Sequence, residues 1–269
     1  MRYHQVSQDS FLFTLQNGRF CYIPWYKHLF PPITVERESI SDPTKNKIST
    51  GNKSLDRILS GGFEKGMLSL LEVENLAAPY LETLYIPFLS NHLQLDRPAV
   101  ILLPEGWSPD RFIHGLSHFV SADRIEKQVV FFGRHALGTR ENVRSIDDDP
   151  WKTLQEIRYE ASQLEREFET EATELFALDT LENKYGVTDV KGMLAEITAS
   201  LPLTSRATVA ILSQHQELKS GSIAYGIHLR VKELSGVLSV FGVIPRTNYL
   251  AVSPLLSKGF LDYDLIPIV

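Results

Sequence analysis

The chain has 269 residues, 43% of them hydrophobic and 22% charged, with a formal net charge of −6. That length suits one large domain or two small ones, and the composition is ordinary for a protein with a full core. The acidic balance argues against a broad electrostatic footprint for DNA or RNA while leaving room for a local basic patch, and no run of about 18 apolar residues marks a membrane span.

The first ten residues lack the charged-then-apolar pattern of a signal peptide, which points to the cytoplasm. Phe11–Gln16 and Arg19–Ile23 then flank Asn17-Gly18, a pair suited to the positive φ angles of a two-residue turn, so a β-hairpin is expected. Cys21, the single cysteine, excludes an intramolecular disulfide; its apolar setting predicts a buried structural thiol. Pro24, Pro31 and Pro32 break regular structure, and the polar stretch 39–47 reads as a linker. Residues 1–47 are therefore expected to form a β-rich extension docked on a main body spanning 48–269. Phe11, Phe13, Phe20, Tyr22, Trp25, Tyr26 and Phe30 are costly to leave in water, and burial within the same subunit is expected, with contact to a partner chain as the alternative.

From Ile48 onward, apolar runs alternate with helical patterns, as in a parallel sheet with helices on both faces. Leu68–Val73, Ala99–Leu103, Val129–Phe132, Leu175–Leu178 and Thr208–Leu212 are continuous rather than alternating, which suits strands buried on both faces. A long helix is expected where Trp151, Leu154, Ile157, Ala161, Leu164 and Phe168 recur at spacings of three and four, after the acidic, proline-bearing start at residues 147–150. Four short strands, Ile227–Val231, Val237–Val243, Tyr249–Val252 and Leu265–Ile268, are expected to close the sheet in antiparallel fashion.

Four segments carry the functional signal. The first is Ser49-Thr50-Gly51, Leu55-Asp56, Leu59-Ser60-Gly61-Gly62-Phe63 and Gly66, where the glycines allow a sharp turn into the first buried strand. The second is Leu102-Leu103-Pro104-Glu105-Gly106-Trp107-Ser108-Pro109-Asp110-Arg111-Phe112, which also reads simply as a strand-end loop with a proline starting the next helix. The third is the apolar strand ending at Asp179; that Asp could serve a metal shell or, with Glu182 three positions on, a helix capping box. The fourth is Thr208–Leu212 with its polar end Ser213-Gln214-His215.

Together these segments resemble the RecA superfamily, in its RadA-like and KaiC-like branches, over residues 48–269. The resemblance implies a RecA-like α/β core. It places Glu105 where the family's glutamate polarises the attacking water, and Asp179 where the family's aspartate serves Mg²⁺. It also implies that a phosphate-binding loop should follow the first strand. The family's loop glycines fall at Val73, Leu76 and Ala78, its lysine at Pro79 and its hydroxyl residue at Tyr80, and no G-x-x-x-x-G-K-[ST] occurs anywhere in the chain. Pro79 removes an N–H, while Glu72 and Glu74 add negative charge near a polyanion's path. Pro79 nevertheless suits a first helical turn.

The expectation is a catalytically inactive paralogue, without cofactor, acting as a scaffold or regulatory subunit. It would self-associate or pair with a RecA-type ATPase, as in recombinase paralogues or the similar Elongator accessory subunits. The alternative is a divergent ATPase using Glu105 and Asp179 in recombination, repair or signalling. By the same resemblance, Lys219 and Arg230 lie where such proteins reach into a neighbour's nucleotide site. His114 and His118 share a helix face but lack a third ligand, so no metal site is expected. Arg140, Arg144 and Lys152 read as a solvated surface diluted by nearby acids.

Overall fold

The structure, a computed structural model, describes residues 12–16, 19–23, 38–74, 78–134, 140–255 and 262–268. In chain order its strands are β1 (Leu12–Gln16), β2 (Arg19–Ile23), β3 (Lys47–Ile48), β4 (Phe63–Glu64), β5 (Leu68–Glu74), β6 (Ala99–Leu102), β7 (Val129–Gly133), β8 (Val143–Ser145), β9 (Thr173–Ala177), β10 (Ala207–Ser213), β11 (Ile227–Leu234), β12 (Val237–Ile244), β13 (Leu250–Pro254) and β14 (Tyr263–Pro267). Its α-helices are α1 (Lys53–Ile58), α2 (Ala78–Gln94), α3 (Pro109–Ser117), α4 (Ala122–Gln128), α5 (Pro150–Phe168) and α6 (Leu178–Ser200).

Among the described residues, one sheet runs in the order β14-β13-β12-β11-β5-β10-β9-β6-β7-β8. From β11 to β8 each adjacent pair is parallel, so β11, expected among the antiparallel closing strands, instead joins β5 in parallel, and β12, β13 and β14 continue the sheet antiparallel. All five continuous apolar runs form parallel strands, and β5, β6, β7, β9 and β10 are buried over most of their length. This is the RecA-like α/β architecture expected from the sequence.

One core packs α1 to α4 against one face of the sheet, with Leu71, Ile101, Leu175 and Val209 pointing into it. The other packs α5 and α6 against the opposite face, through Leu70, Leu102, Phe176 and Leu212. The odd and even residues of each strand thus feed different cores, as the two-residue period of a strand requires. Helix α5 begins as its sequence implies: the Asp149 side chain accepts from Trp151 N, and Pro150 occupies the first turn. Leu154, Ile157, Ala161 and Leu164 are buried, whereas Trp151 stays exposed at the helix start. Helix α6 breaks at Gly186, whose φ of 80° is outside the helical region.

The hairpin forms with Leu12 opposite Ile23 and Leu15 opposite Phe20. Leu12 and Ile23 pack on Val237, Ala251 and Ile268, and Thr14 Oγ1 donates to the Pro267 carbonyl. The expected burial of the hairpin aromatics is overturned. Phe13, Phe20 and Tyr22, together with Leu15, lie on the outward face and are all exposed, Phe20 to 81%. The cause is the same alternation: only one face of a two-stranded ribbon can meet the sheet, and Leu12, Thr14 and Ile23 occupy it. The Asn17-Gly18 turn, Phe11, Trp25, Tyr26 and Phe30, and the Cys21 side chain lie outside the described residues.

The polar stretch before β3 is pinned to the body. Arg97 reaches the two Asp42 oxygens at 2.9 and 2.5 Å, and the Asn91 side chain brackets Ile40 from both sides of its peptide. Burial pushes the Asp42 carboxyl up, but Arg97 and the Ser49 N–H outweigh it and leave its pKa lowered. Farther on, Gly62 has a φ of 104°, and a Cβ there would lie 2.1 Å from the Ile48 carbonyl oxygen. Gly62→Ala is therefore expected to destabilise the fold by about 2 kcal/mol or more, read as a lower urea midpoint.

Candidate functional site

The parallel strands end on one edge of the sheet, where open α/β folds place their ligands. Strand β6 runs through Leu103 and Pro104 into a turn that carries Glu105 and Gly106, the latter at φ 75°. Strand β9 lies beside β6 and feeds directly into α6, which puts Asp179 in the first helical turn. The sequence-nominated acids therefore meet. Glu105 N donates to Asp179 Oδ2 at 3.3 Å, and Thr180 N donates to Asp179 Oδ1 at 2.8 Å. Thr180 Oγ1 donates to the Leu103 carbonyl at 2.6 Å, so the two strand ends are tied together.

Burial, reinforced by the Glu105 charge, raises the Asp179 pKa against the opposing pull of the N–H donors. Glu105 Oε1 lies 3.6 Å from Arg134 at the end of β7, whereas its buried Oε2 has no hydrogen-bond partner. The capping-box alternative for Asp179 is overturned, because Ala177 occupies the cap position. Glu182 instead accepts from Gln216 Nε2, Glu217 N and Leu218 N, clamping the segment that follows β10. The polar end of β10 is bound as well: Gln214 N donates to the Val73 carbonyl, and Ser213 N to Gln216 Oε1.

The lead-in motif has a structural role that sequence reading missed. The Asp56 carboxylate accepts from Ser49 Oγ at 2.6 Å, from Thr50 N at 2.7 Å and from Thr50 Oγ1 at 2.7 Å. Asn52 caps α1 by accepting from Leu55 N, and its amide donates to Asp262 and to the Tyr263 carbonyl. Behind it, buried His92 meets the Ser49 carbonyl through Nε2 and Thr173 through Nδ1. A carbonyl can only accept, so Nε2 carries the proton and Nδ1 accepts from the threonine hydroxyl. Burial, with Arg97 adding to it, pushes the His92 pKa down to about 3, which keeps the ring neutral in this role. The S-T-G and L-D residues thus clasp one another rather than an outside group.

Glu72 requires a correction. It does not stand as loose negative charge beside the loop, because its Oε2 meets His228 Nε2 at 2.7 Å and Arg230 Nε at 2.9 Å on neighbouring β11. Burial pushes the carboxyl up, yet the bonds from Arg230, His228 and Ser220 win and lower its pKa. Arg230 is accordingly held within its own chain, and Lys219 Nζ bonds the Gln216 carbonyl. Of the degenerate loop positions, Val73 is buried in β5, and Ala78, Pro79 and Tyr80 form the first turn of α2. Residues 75–77, including Leu76, and the side chains at 78–80 lie outside the described residues.

Other sequence signals resolve simply. His114 and His118 face each other with ring centres 4.9 Å apart, and among the described residues no cluster of three or more potential ligands gathers around a metal position. Arg140, Arg144 and Lys152 are ion-paired with Asp110, Glu160 and Asp147. Among the described residues no helix is long and apolar enough to cross a membrane.

A Mg²⁺–nucleotide, the ligand implied by this fold, can be tested against these residues. The acidic half suits a cation in kind, since the Asp179 carboxylate lies against the Glu105 backbone and Glu105 Oε2 is a buried acceptor without a donor. The phosphate half does not fit. Residues 73–80 contain no glycine, lysine, arginine, serine or threonine, so no side chain there supplies a cation or the hydroxyl that Mg²⁺ takes in a phosphate loop.

Comparison with known proteins agrees with the fold. No family profile matches the chain. A KaiC-like protein from the hyperthermophilic archaeon Pyrococcus horikoshii superposes with a TM-score of 0.59 at 10% identity, covering 81% of this chain and 98% of that one. Protein GvpD2 of Halobacterium salinarum is 29% identical over 141 residues, which is 51% of this chain and 28% of that protein. The chain thus spans well under half of that curated relative. The fold is RecA-like, of the KaiC kind.

Proposed function

We propose that this KaiC-like, RecA-type domain works by binding, as a scaffold or regulatory subunit, rather than by turning over ATP. The observation that carries the reading is the state of Asp179. Both its oxygens are engaged by backbone N–H groups of its own chain, and its pKa is raised, which opposes the charged form a Mg²⁺ ligand needs. The self-contained lead-in clasp and the pairing of Glu72 with β11 support the same reading, since each is complete without a nucleotide. Residues 1–47 are proposed as an extension docked on the 48–269 body. Its outward aromatic face is the kind of exposed apolar surface that marks association, with a second copy or a RecA-type ATPase as the proposed partner.

A second reading, a divergent ATPase, is favoured by the juxtaposition of Glu105 with Asp179 at the strand ends. Titration with a fluorescent ATP analogue and Mg²⁺ separates the two. No saturable binding in the micromolar range is expected. Micromolar binding that disappears in Asp179→Ala would overturn the proposal in favour of the second reading.

A further inference from the structure

At the N-terminal ends of β9 and β10, opposite the edge that carries Asp179, a cavity of about 270 Å³ opens between α5 and α6. Much of its lining is apolar. Leu154, Phe176, Ile197 and Leu201 line it, and all four are buried members of the core beneath these helices. Leu203, exposed to 87%, stands on its rim. An apolar cavity of about 150 Å³ takes a benzene ring, so this one has room for a ring with a short chain.

The polar lining is one-sided. Arg206 is almost wholly buried and bonds Glu165, Glu174 and Ser162, which leaves one hydrogen of Nη1 without an acceptor. Arg158 bonds Glu196 and Ser200, which leaves Nε and one hydrogen of Nη1. The Ser162 hydroxyl accepts from Arg206 and, among the described residues, donates to no acceptor. The unused capacity is therefore donor capacity, and a buried donor without an acceptor is costly. Charge narrows the choice further. Two guanidiniums here meet three carboxylates, Glu165, Glu174 and Glu196, so an incoming anion would add to a negative surplus. An ammonium would bring more donors to groups already short of acceptors.

We propose that this cavity is a binding site for a small uncharged molecule with an apolar body and a carbonyl-type oxygen. The body would fill the space between Leu154, Ile197 and Leu201, and the oxygen would accept from Ser162 and the spare guanidinium hydrogens. A mainly apolar pocket with a few convergent polar groups is the usual form of a small-molecule site. The proposal goes beyond the reading of Glu105 and Asp179 and does not depend on it, because those acids lie at the other ends of the strands.

The test is an NMR titration of the full chain with isotope-labelled Ile, Leu and Val methyl groups. The probe is benzylacetone, a phenyl ring joined by a short chain to a methyl ketone. Its matched carboxylate, phenylpropionate, and its matched amine are the comparison arms. Saturable shifts are expected at the methyls of Leu154, Ile197, Leu201 and Leu203, with a Kd of about 1 mM or tighter, as suits a ligand of this size. The carboxylate and the amine should bind more weakly by about tenfold or more. Arg158→Met should weaken ketone binding about fivefold, the loss of one hydrogen bond, and Ser162→Leu should abolish it by filling the cavity. Lys127→Ala, on α4 at the other face of the sheet, should change nothing. Ile197→Phe, which also narrows the cavity, repeats the blocking measurement if Ser162→Leu fails to fold. Four outcomes would overturn the proposal: shifts confined to other methyls, no saturation below about 10 mM, a carboxylate or amine that binds as tightly as the ketone, or wild-type affinity in both Arg158→Met and the blocking variant.

Discussion

Arg206→Ala is expected to lower the unfolding free energy by about 3–5 kcal/mol, the usual cost of breaking a buried ion pair from one side. Arg206, at the foot of β10, is almost wholly buried. It donates through Nε and Nη2 to Glu165 at 2.7 Å each, through Nη1 to Glu174 at 3.0 Å and through Nη2 to Ser162 at 3.1 Å. Glu174 is itself buried in β9 and also accepts from Thr208 Oγ1 at 2.8 Å. Removing the guanidinium would strand that carboxylate beneath α5. In a chain of this size the loss corresponds to a drop in Tm of about 10 °C, at roughly 2–4 °C per kcal/mol.

The pH dependence gives a second readout. Burial pushes the Glu165 carboxyl up, but Arg206 and the Ala172 N–H together outweigh it, so its pKa is lowered in the folded protein. A depressed folded pKa contributes stability that is present above the unfolded value of about 4.3 and is lost as pH falls through the folded one. The gap between wild type and Arg206→Ala should therefore narrow in acid. A double variant, Arg206→Met with Glu174→Leu, should recover part of the loss, since it removes the two most buried charges together and leaves only the partly exposed Glu165 without its cation. Urea unfolding at pH 7 and below pH 4 checks all three statements.

Asp56→Ala is expected to be nearly as damaging, by about 3 kcal/mol, because one carboxylate holds two side chains and a backbone N–H of the Ser49-Thr50 turn. That turn is buried, with Ser49 and Thr50 exposed to 0% and 1%, so the orphaned donors have no water to turn to. Asp56→Asn should retain part of the stability through its remaining carbonyl oxygen. Hydrogen exchange should localise the defect, with protection lost first around Thr50–Leu55. A variant with wild-type stability would show that the clasp is dispensable.

Much of this fold was legible in sequence because its signals are local. The five apolar runs that form β5, β6, β7, β9 and β10 announce themselves within a few residues, as does the Asp149-Pro150 start of α5. The meeting of Glu105 with Asp179 was legible for a different reason: each sits just past the end of a buried strand, and neighbouring parallel strands deliver their ends to one edge. The partners of Glu72 were not legible. Beside Val73 and Pro79 it read as misplaced charge, and only the pairing of β5 with β11, far along the chain, brings Arg230 and His228 to it. The hairpin aromatics misled for the converse reason. Their apolar character is a local fact, but which face of a ribbon meets the sheet depends on Val237, Ala251 and Ile268, distant in sequence. The lead-in residues looked like the approach to a ligand, whereas their hydrogen bonds run to Asp56.

The position of β5 has a consequence for how the chain is made. Its neighbours are β10 and β11, so Leu68 waits for Thr208, and Ser69 waits for Ile227, before either side of the strand is paired. During synthesis on a ribosome, a strand buried over most of its length emerges early and stays without either edge partner until most of the chain has followed. Such open edges are templates for wrong pairing, and long-range parallel pairing is slow to form. The nascent protein is therefore at its most aggregation-prone in mid-translation, and a chain truncated before Ala207 should accumulate as insoluble material instead of a shortened domain.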